Sequence, residues 1–489
     1  MTGPRRARSA VRSGLLTGLG MVLSAAAAAG AAVLLAHKFG RTAATDGFLA
    51  AYALYLMLAL GAQAFRLVVA PDLTRAADED RLGAELRAYA VSFALVALPV
   101  VVFVIAFRGS IADAITGTVP AAHEAERALP FFIVAAFGQL LAALLASGLA
   151  ARGSYGAAAL AFGVGPVAAL VVFAALADSQ GIVALAWGVT VNAAFALAVT
   201  GGRLLSLRGL GRGRAALAPG RRLWWLVRGT ALPLALQGIY LVALLLAAGL
   251  GVGTQSTLSY GYVIAATLVA ATASALALIS SVPLTRREPD AGAVAGHVVH
   301  TVWLSLTPIL AAAGVFALVG GEIVGGLLGS AYTGDVGSEL GRLVVWLAPW
   351  MVATVAFTVA YPMLFVVGRG RGLVPLAVGA LLVQIPLAWA LREAWGLNGI
   401  ALALGLTTAL VLLGVLAELS LRMLELTLVG ILRASLTLGA LAVVTFGGAR
   451  LVLGDVPAAL AGLAAYTVIL ALVRPPGLRH AWAYVRALH

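Results

Sequence analysis

Few side chains in this sequence could do chemistry in apolar surroundings, and their types suit holding a ligand better than transforming one. Gln63, Arg66, Asn192 and Gln237 are polar residues set within long apolar runs. An arginine so placed can meet an anionic head group, and amides can bond sugar hydroxyls. Each also has a plainer role. Arg66 can reach back past Pro71 to the membrane surface, and amides such as Gln139, Gln384 and these three often join one helix to the next. Asp46 follows the first apolar run, where it can cap the next helix or act in gating. Glu418 and Arg422 stand four apart and read as a structural pair on one helix.

Catalysis finds weaker candidates. A membrane transferase would need paired carboxylates, or a histidine with an acid at a helix end. His297 and His300 follow Glu288 and Asp290 at a spacing that suits one helical face, and an amphipathic surface turn explains them better. The chain has no cysteine, which excludes disulfides, thiolate metal sites and cysteine nucleophiles. The sequence assigns no catalytic residue, no metal ligand and no cofactor, and it is read as not an enzyme.

The elements that must position these residues follow from composition. The chain has 489 residues, 62% hydrophobic and 10% charged, with a mean hydropathy of +1.05. That is too apolar for a water-soluble domain of this length. The apolar runs are about twenty residues long, which suits helices rather than the alternating strands of a barrel. The sequence therefore predicts an all-α polytopic membrane protein of about fourteen spans, six between residues 14 and 202 and eight between 229 and 473.

The net charge of +13 comes from 32 basic residues scattered between spans, Lys38 the sole lysine. They form no single basic face, so no nucleic-acid partner is expected. With a cytoplasmic N-terminus, the inner segments hold 24 of them and the outer loops seven: Lys38, Arg41, Arg108, Arg127, Arg342, Arg392 and Arg450. That bias is the positive-inside pattern. Its strongest part is the run Arg203, Arg208, Arg212, Arg214, Arg221, Arg222 and Arg228, read as a solvated anchor on anionic head groups. The basic N-terminus, Arg5, Arg6, Arg8 and Arg12, is read as the start of the first span rather than a cleaved signal.

Landmarks recur along the chain. Gly40 and Thr45 match Gly251 and Ser256, and Leu73, Thr74 and Arg75 match Leu284, Thr285 and Arg286. Pro130 matches Pro349, Arg152 and Gly153 match Arg371 and Gly372, and Gly181 and Ile182 match Gly399 and Ile400. Their order is kept and the offsets run from 211 to 219, as a duplication would give. Six helices per copy put both copies in the membrane in the same direction. The expected organisation is an N-lobe over 1–202, a cytoplasmic linker over 203–228, a C-lobe over 229–420, and two extra helices with a cytoplasmic tail over 421–489. Two parallel six-helix repeats around a central cavity can expose it to either side in turn.

Three stretches carry a family resemblance: Phe39 and Gly40 with Ala44 to Phe48; Leu232 and Pro233 through Gly249 to Gly251 and on to Ser256, Leu258, Ser259 and Tyr260; and Gly181 to Gly188. With the plan of six, six and two helices, they resemble the lipid II flippase (MurJ, or MviN) family of the multidrug/oligosaccharidyl-lipid/polysaccharide exporter superfamily. The resemblance implies movement of an undecaprenyl-linked peptidoglycan precursor, its sugar-pyrophosphate head in a cationic cavity. The sequence departs from the family at the cationic positions. Ser24 and Ala25, then Ala31 and Ala32, stand where the first helix carries Ser-Arg and Arg-Asp, and Val263 stands near another expected arginine.

The expected function is that of a flippase or exporter, in a bacterial inner (plasma) membrane, with both termini cytoplasmic. It would move lipid II or a related lipid-linked saccharide of cell-envelope biosynthesis by alternating access. Membrane lipids and cell-envelope synthesis proteins are the expected partners. Alternatives are a non-transporting relative acting as an assembly scaffold and a cation-coupled small-molecule exporter.

Overall fold

The computed structural model describes residues 4–207, 219–274, 291–366, 370 and 372–487. Leu284, Thr285, Arg286 and Arg371, and with them part of the internal match, lie outside the described residues, as do Arg208, Arg212 and Arg214. No strand occurs among the described residues.

Helices α1 (Pro4–Phe39), α2 (Ala43–Asp78) and α3 (Leu82–Ala106) are followed by a short α4 (Arg108–Ile115). Then come α5 (Val119–Ala151), α6 (Tyr155–Gln180), α7 (Ala184–Leu205), α8 (Pro219–Ala248) and α9 (Thr254–Val269). The remainder holds α10 (Ala291–Leu328), α11 (Asp335–Trp346), α12 (Ala348–Val366), α13 (Leu373–Leu419), α14 (Leu421–Ala442), α15 (Asp455–Val473) and α16 (Pro476–Ala487).

The continuous apolar runs 155–205 and 373–419 are 51 and 47 residues long, more than twice the roughly twenty that cross a bilayer. Each is broken once. A 3₁₀ turn at Gly181–Val183 separates α6 from α7, and α13 leaves helical geometry at Trp395 and Gly396. Among the described residues eight helices are long and apolar enough to cross a membrane, or nine with the bent pair α11 and α12 taken as one, and shorter apolar helices run over Leu23–Phe39 and Ala43–Ala59. The chain is an all-helical polytopic membrane protein.

Prolines do not make the breaks. Pro99, Pro130, Pro166, Pro233, Pro308, Pro362 and Pro386 all lie inside continuous helices. A proline removes one backbone donor, which neighbouring groups in a membrane bundle can make up. The main chain turns where glycine allows a positive φ: Gly181 at φ 63, ψ −146 and Gly396 at φ 57, ψ −133. This corrects the sequence pairing of Gly181 with Gly399, because the second-half glycine with the matching backbone is three residues earlier.

The described residues form two compact units, one of Met1–Leu241 with Gly251–Gln255, the other of Val242–Leu250 with Ser256–His489. Small residues let the helices of the first unit approach closely. A Cβ on Gly163 of α6 would stand 2.7 Å from Gly20 Cα of α1, and one on Gly61 of α2 would stand 2.8 Å from Leu234 Cδ2 of α8. Phe48, Tyr52 and Tyr55 of α2 set their rings 5.3, 5.5 and 5.7 Å from Phe132 of α5. Val69, Leu73, Leu82, Leu86, Leu144, Leu149 and Leu226 form a buried apolar cluster at the α2–α3 end. In the second unit α10 packs on α11, α14, α15 and α16.

Candidate functional site

Arg66 sits on α2, half-buried, with its guanidinium carbon 5.7 Å from the centre of the Phe162 ring on α6. The aromatic face offers a desolvated cation some attraction without neutralising it. Among the described residues Arg66 has no carboxylate partner.

Asn192 of α7 lies against Gly165 of α6, where any side chain would strike its Oδ1. That oxygen is buried and accepts no hydrogen bond among the described residues. Phe162 and Gly165 are three apart on one helix, so Arg66 and Asn192 approach the same face of α6 about one turn apart. The structure thus brings a cation and an unbonded amide to one helix face. Gln237 of α8 is half-buried, with Oε1 likewise unbonded. It lies one turn beyond Leu234, the residue against Gly61 of α2. The side chain of Gln63 lies outside the described residues.

Asp46 has a role different from capping its own helix. Thr42 caps α2, its hydroxyl accepting from Thr45 N at 3.3 Å. The buried Asp46 carboxylate instead accepts the amide of Gly253 at 2.5 Å, while Arg41 Nε donates to the Gly253 carbonyl at 2.9 Å. Both backbone polar groups of Gly253, in two successive peptide units, are thereby held. Gln255 Nε2 donates to the carbonyl of Ile115 at 3.3 Å, fixing the other end of the 251–255 turn. Gly253 has φ +87 and no space for a side chain beside Arg41.

The Arg-rich segment also departs from its solvated reading. Helix α8 starts at Pro219, and Arg222 is fully buried. Its Nη2 donates to Glu85 Oε2 at 2.6 Å, and its guanidinium carbon lies 4.7 Å from the centre of the Tyr89 ring. Arg81 Nη1 donates to the other Glu85 oxygen at 2.6 Å, and Tyr89 OH donates to Asp72 at 2.8 Å. At the exposed α2–α3 turn, the Arg81 guanidinium bonded to Glu79 holds that carboxyl below its usual range. Composition alone could not flag Arg222, because its partner is 137 residues away. The available signal was Glu85, an acid in the first turn of a helix that is mostly apolar.

In the second unit, a groove of about 350 Å³ lined by Glu322, Thr333, Ser338 and Asp455 among glycines contains none of the expected contact residues. His297 and His300 lie on α10, not in a surface turn. His297 is buried and shares a 3.0 Å hydrogen bond with Tyr484 of α16, so these histidines hold a helix in place. Glu418 accepts from the amides of Gly370 and Gly372 at 3.3 Å, a structural role in which Arg422 takes no part.

Comparison with solved structures bears on the whole arrangement. The chain is similar to the lipid II flippase MurJ in an inward closed conformation, with a TM-score of 0.73 and 14% identity, over 94% of this chain and 98% of that one. It is similar to an inward-facing multidrug resistance MATE family transporter of the MOP superfamily, with a TM-score of 0.62 and 14% identity, over 86% and 94% of the two chains. A MOP superfamily transporter from Pyrococcus furiosus gives a TM-score of 0.55 at 14% identity, over 87% and 95%. No protein-family model matches the chain, and no curated protein matches it by sequence. These neighbours are transporters and a flippase rather than enzymes, and the chain is a multi-pass membrane protein with the transporter fold that they share.

Proposed function

We propose that the chain is a flippase or exporter that moves a polyprenyl-linked saccharide across a bacterial inner membrane by alternating access, with lipid II or a related cell-envelope precursor as its substrate. The observation that carries this reading is the cation Arg66, without a carboxylate partner among the described residues, on the same face of α6 as the unbonded oxygen of Asn192. A guanidinium suits a pyrophosphate, and an amide suits a sugar hydroxyl. Likeness to the MurJ flippase over 94% of the chain supports the same reading. The excess of arginine on one side supports cytoplasmic termini.

The test is reconstitution of the purified protein in liposomes that carry a fluorescent polyprenyl-pyrophosphate saccharide in both leaflets. Protein should make the inner-leaflet pool accessible to a membrane-impermeant reagent, and Arg66→Gln should slow this by about tenfold, the worth of one charge-assisted hydrogen bond. Unchanged accessibility with any such lipid would end the proposal.

A cation-coupled exporter of small molecules is the second reading, favoured by likeness to the MATE transporters. It needs a carboxylate able to take the ion, whereas Asp46 and Glu85 are already bonded to protein donors. Drug resistance on expression, with no lipid movement, would select it. An assembly scaffold without transport would show neither activity and would not complement a flippase-depleted strain.

A further inference from the structure

The short helix α16 (Pro476–Ala487) follows the last apolar span, α15, after a turn at Arg474 and two prolines. One face of it is spoken for. Leu478 and Ala481 are buried, Gly477 lies so close to Trp303 of α10 that no side chain fits there, and Tyr484 bonds His297. Tyr484 also sets its ring 5.1 Å from that of His300.

The opposite face carries Arg479, Trp482, Ala483 and Arg486, all exposed, at spacings that line them up along the helix. Trp482 is 54% exposed. Neither arginine has an ion-pair partner among the described residues, and the sequence from Arg474 to the C-terminus contains no acid. A large aromatic ring flanked by unpaired cations is poorly suited to bulk water. It is suited to the boundary between head groups and acyl chains, where indole is favoured and anionic phosphates answer the guanidinium groups.

We propose that the Arg479–Trp482–Arg486 face of α16 is a binding surface for anionic phospholipid, which seats the helix in the plane of the membrane interface while its other face stays docked on α10. Charge complementarity selects anionic over zwitterionic lipid, and the start of α16 three residues after the end of α15 sets it at the membrane surface. Because the buried face bonds His297, lipid composition at the surface is transmitted to α10.

The chain lacks cysteine, so Ala483→Cys gives a single site for a nitroxide label in the full-length protein. The label would be followed in nanodiscs of phosphatidylcholine with increasing phosphatidylglycerol, by its accessibility to a water-soluble paramagnetic relaxant. Accessibility should fall as phosphatidylglycerol rises. Arg479→Gln should raise the midpoint about fivefold, Arg479→Gln with Arg486→Gln should abolish the response, and high salt should weaken it. A label at Thr467→Cys on α15 should not respond to lipid charge. Equal accessibility at all compositions, equal protection in pure phosphatidylcholine, or a response unchanged in the double variant would each overturn the proposal. The variants lie on the exposed face, and the melting temperature in detergent checks that folding is intact.

Discussion

Arg222 and Glu85, 137 residues apart in sequence, meet at 2.6 Å with almost no solvent on either side chain. A buried charge left without its partner is costly, whereas replacing the whole pair with apolar groups can be neutral. Glu85→Gln should therefore destabilise the protein by about 3 kcal/mol, read as a lower melting temperature in detergent. Glu85→Leu with Arg222→Met should recover most of that loss. Equal loss in the single and double variants would show that the contact contributes little beyond packing.

Asp46 holds the amide of Gly253 and Arg41 its carbonyl. Asp46→Ala should speed hydrogen exchange at the 251–255 amides by at least about tenfold, since a charge-assisted bond to a buried amide is lost. Gly253→Ala should have a comparable effect by another route, because φ +87 strains any other residue and the new Cβ would collide with the Arg41 side chain that bonds the Gly253 carbonyl. The helix amides of α5 should exchange as before.

Asn192 separates a structural from a functional amide. Its Oδ1 is buried without a donor, so Asn192→Leu should leave the melting temperature within a few degrees or raise it, as loss of an unsatisfied polar atom predicts. Transport should nevertheless fall severalfold. Gly165→Ala pushes on the same oxygen from α6 and should impair transport with Asn192 intact. Full activity in both variants would remove Asn192 from substrate contact.

The breaks at Gly181 and Gly396 use nearly the same backbone angles. Nothing lies near the space that a Cβ would take at either position, so Gly181→Ala and Gly396→Ala isolate the conformational cost, about 1–3 kcal/mol each. Gly399→Ala meets the carbonyl of Leu391 directly and should cost more through collision. Thermal unfolding of the three variants checks the ranking.

The helical spans were legible in the sequence because hydropathy averaged over about twenty residues reports directly on burial in lipid. The glycine turns were legible only in outline: a Gly-Ile pair drew the eye to Gly399, whereas the residue with positive φ is Gly396, and a dihedral angle leaves no trace in composition. The polar site was half readable. Arg66 and Asn192 stood out as polar residues in apolar runs, yet their meeting on α6 depends on Phe162 and Gly165, which look like any other apolar or small residue. Arg222 was hidden among six other arginines. Its burial follows from Glu85 and Tyr89, and sequence distance conceals such pairs.

The first compact unit does not end at the Arg-rich segment: it continues through Leu241 and takes in Gly251–Gln255. Cleaving the gene between α7 and α8 would hence not yield an autonomous front half. The fragment would keep Glu85 but lose Arg222, and keep Asp46 but lose Gly253, so each of two buried carboxylates would lack one donor until the complementary fragment supplied it.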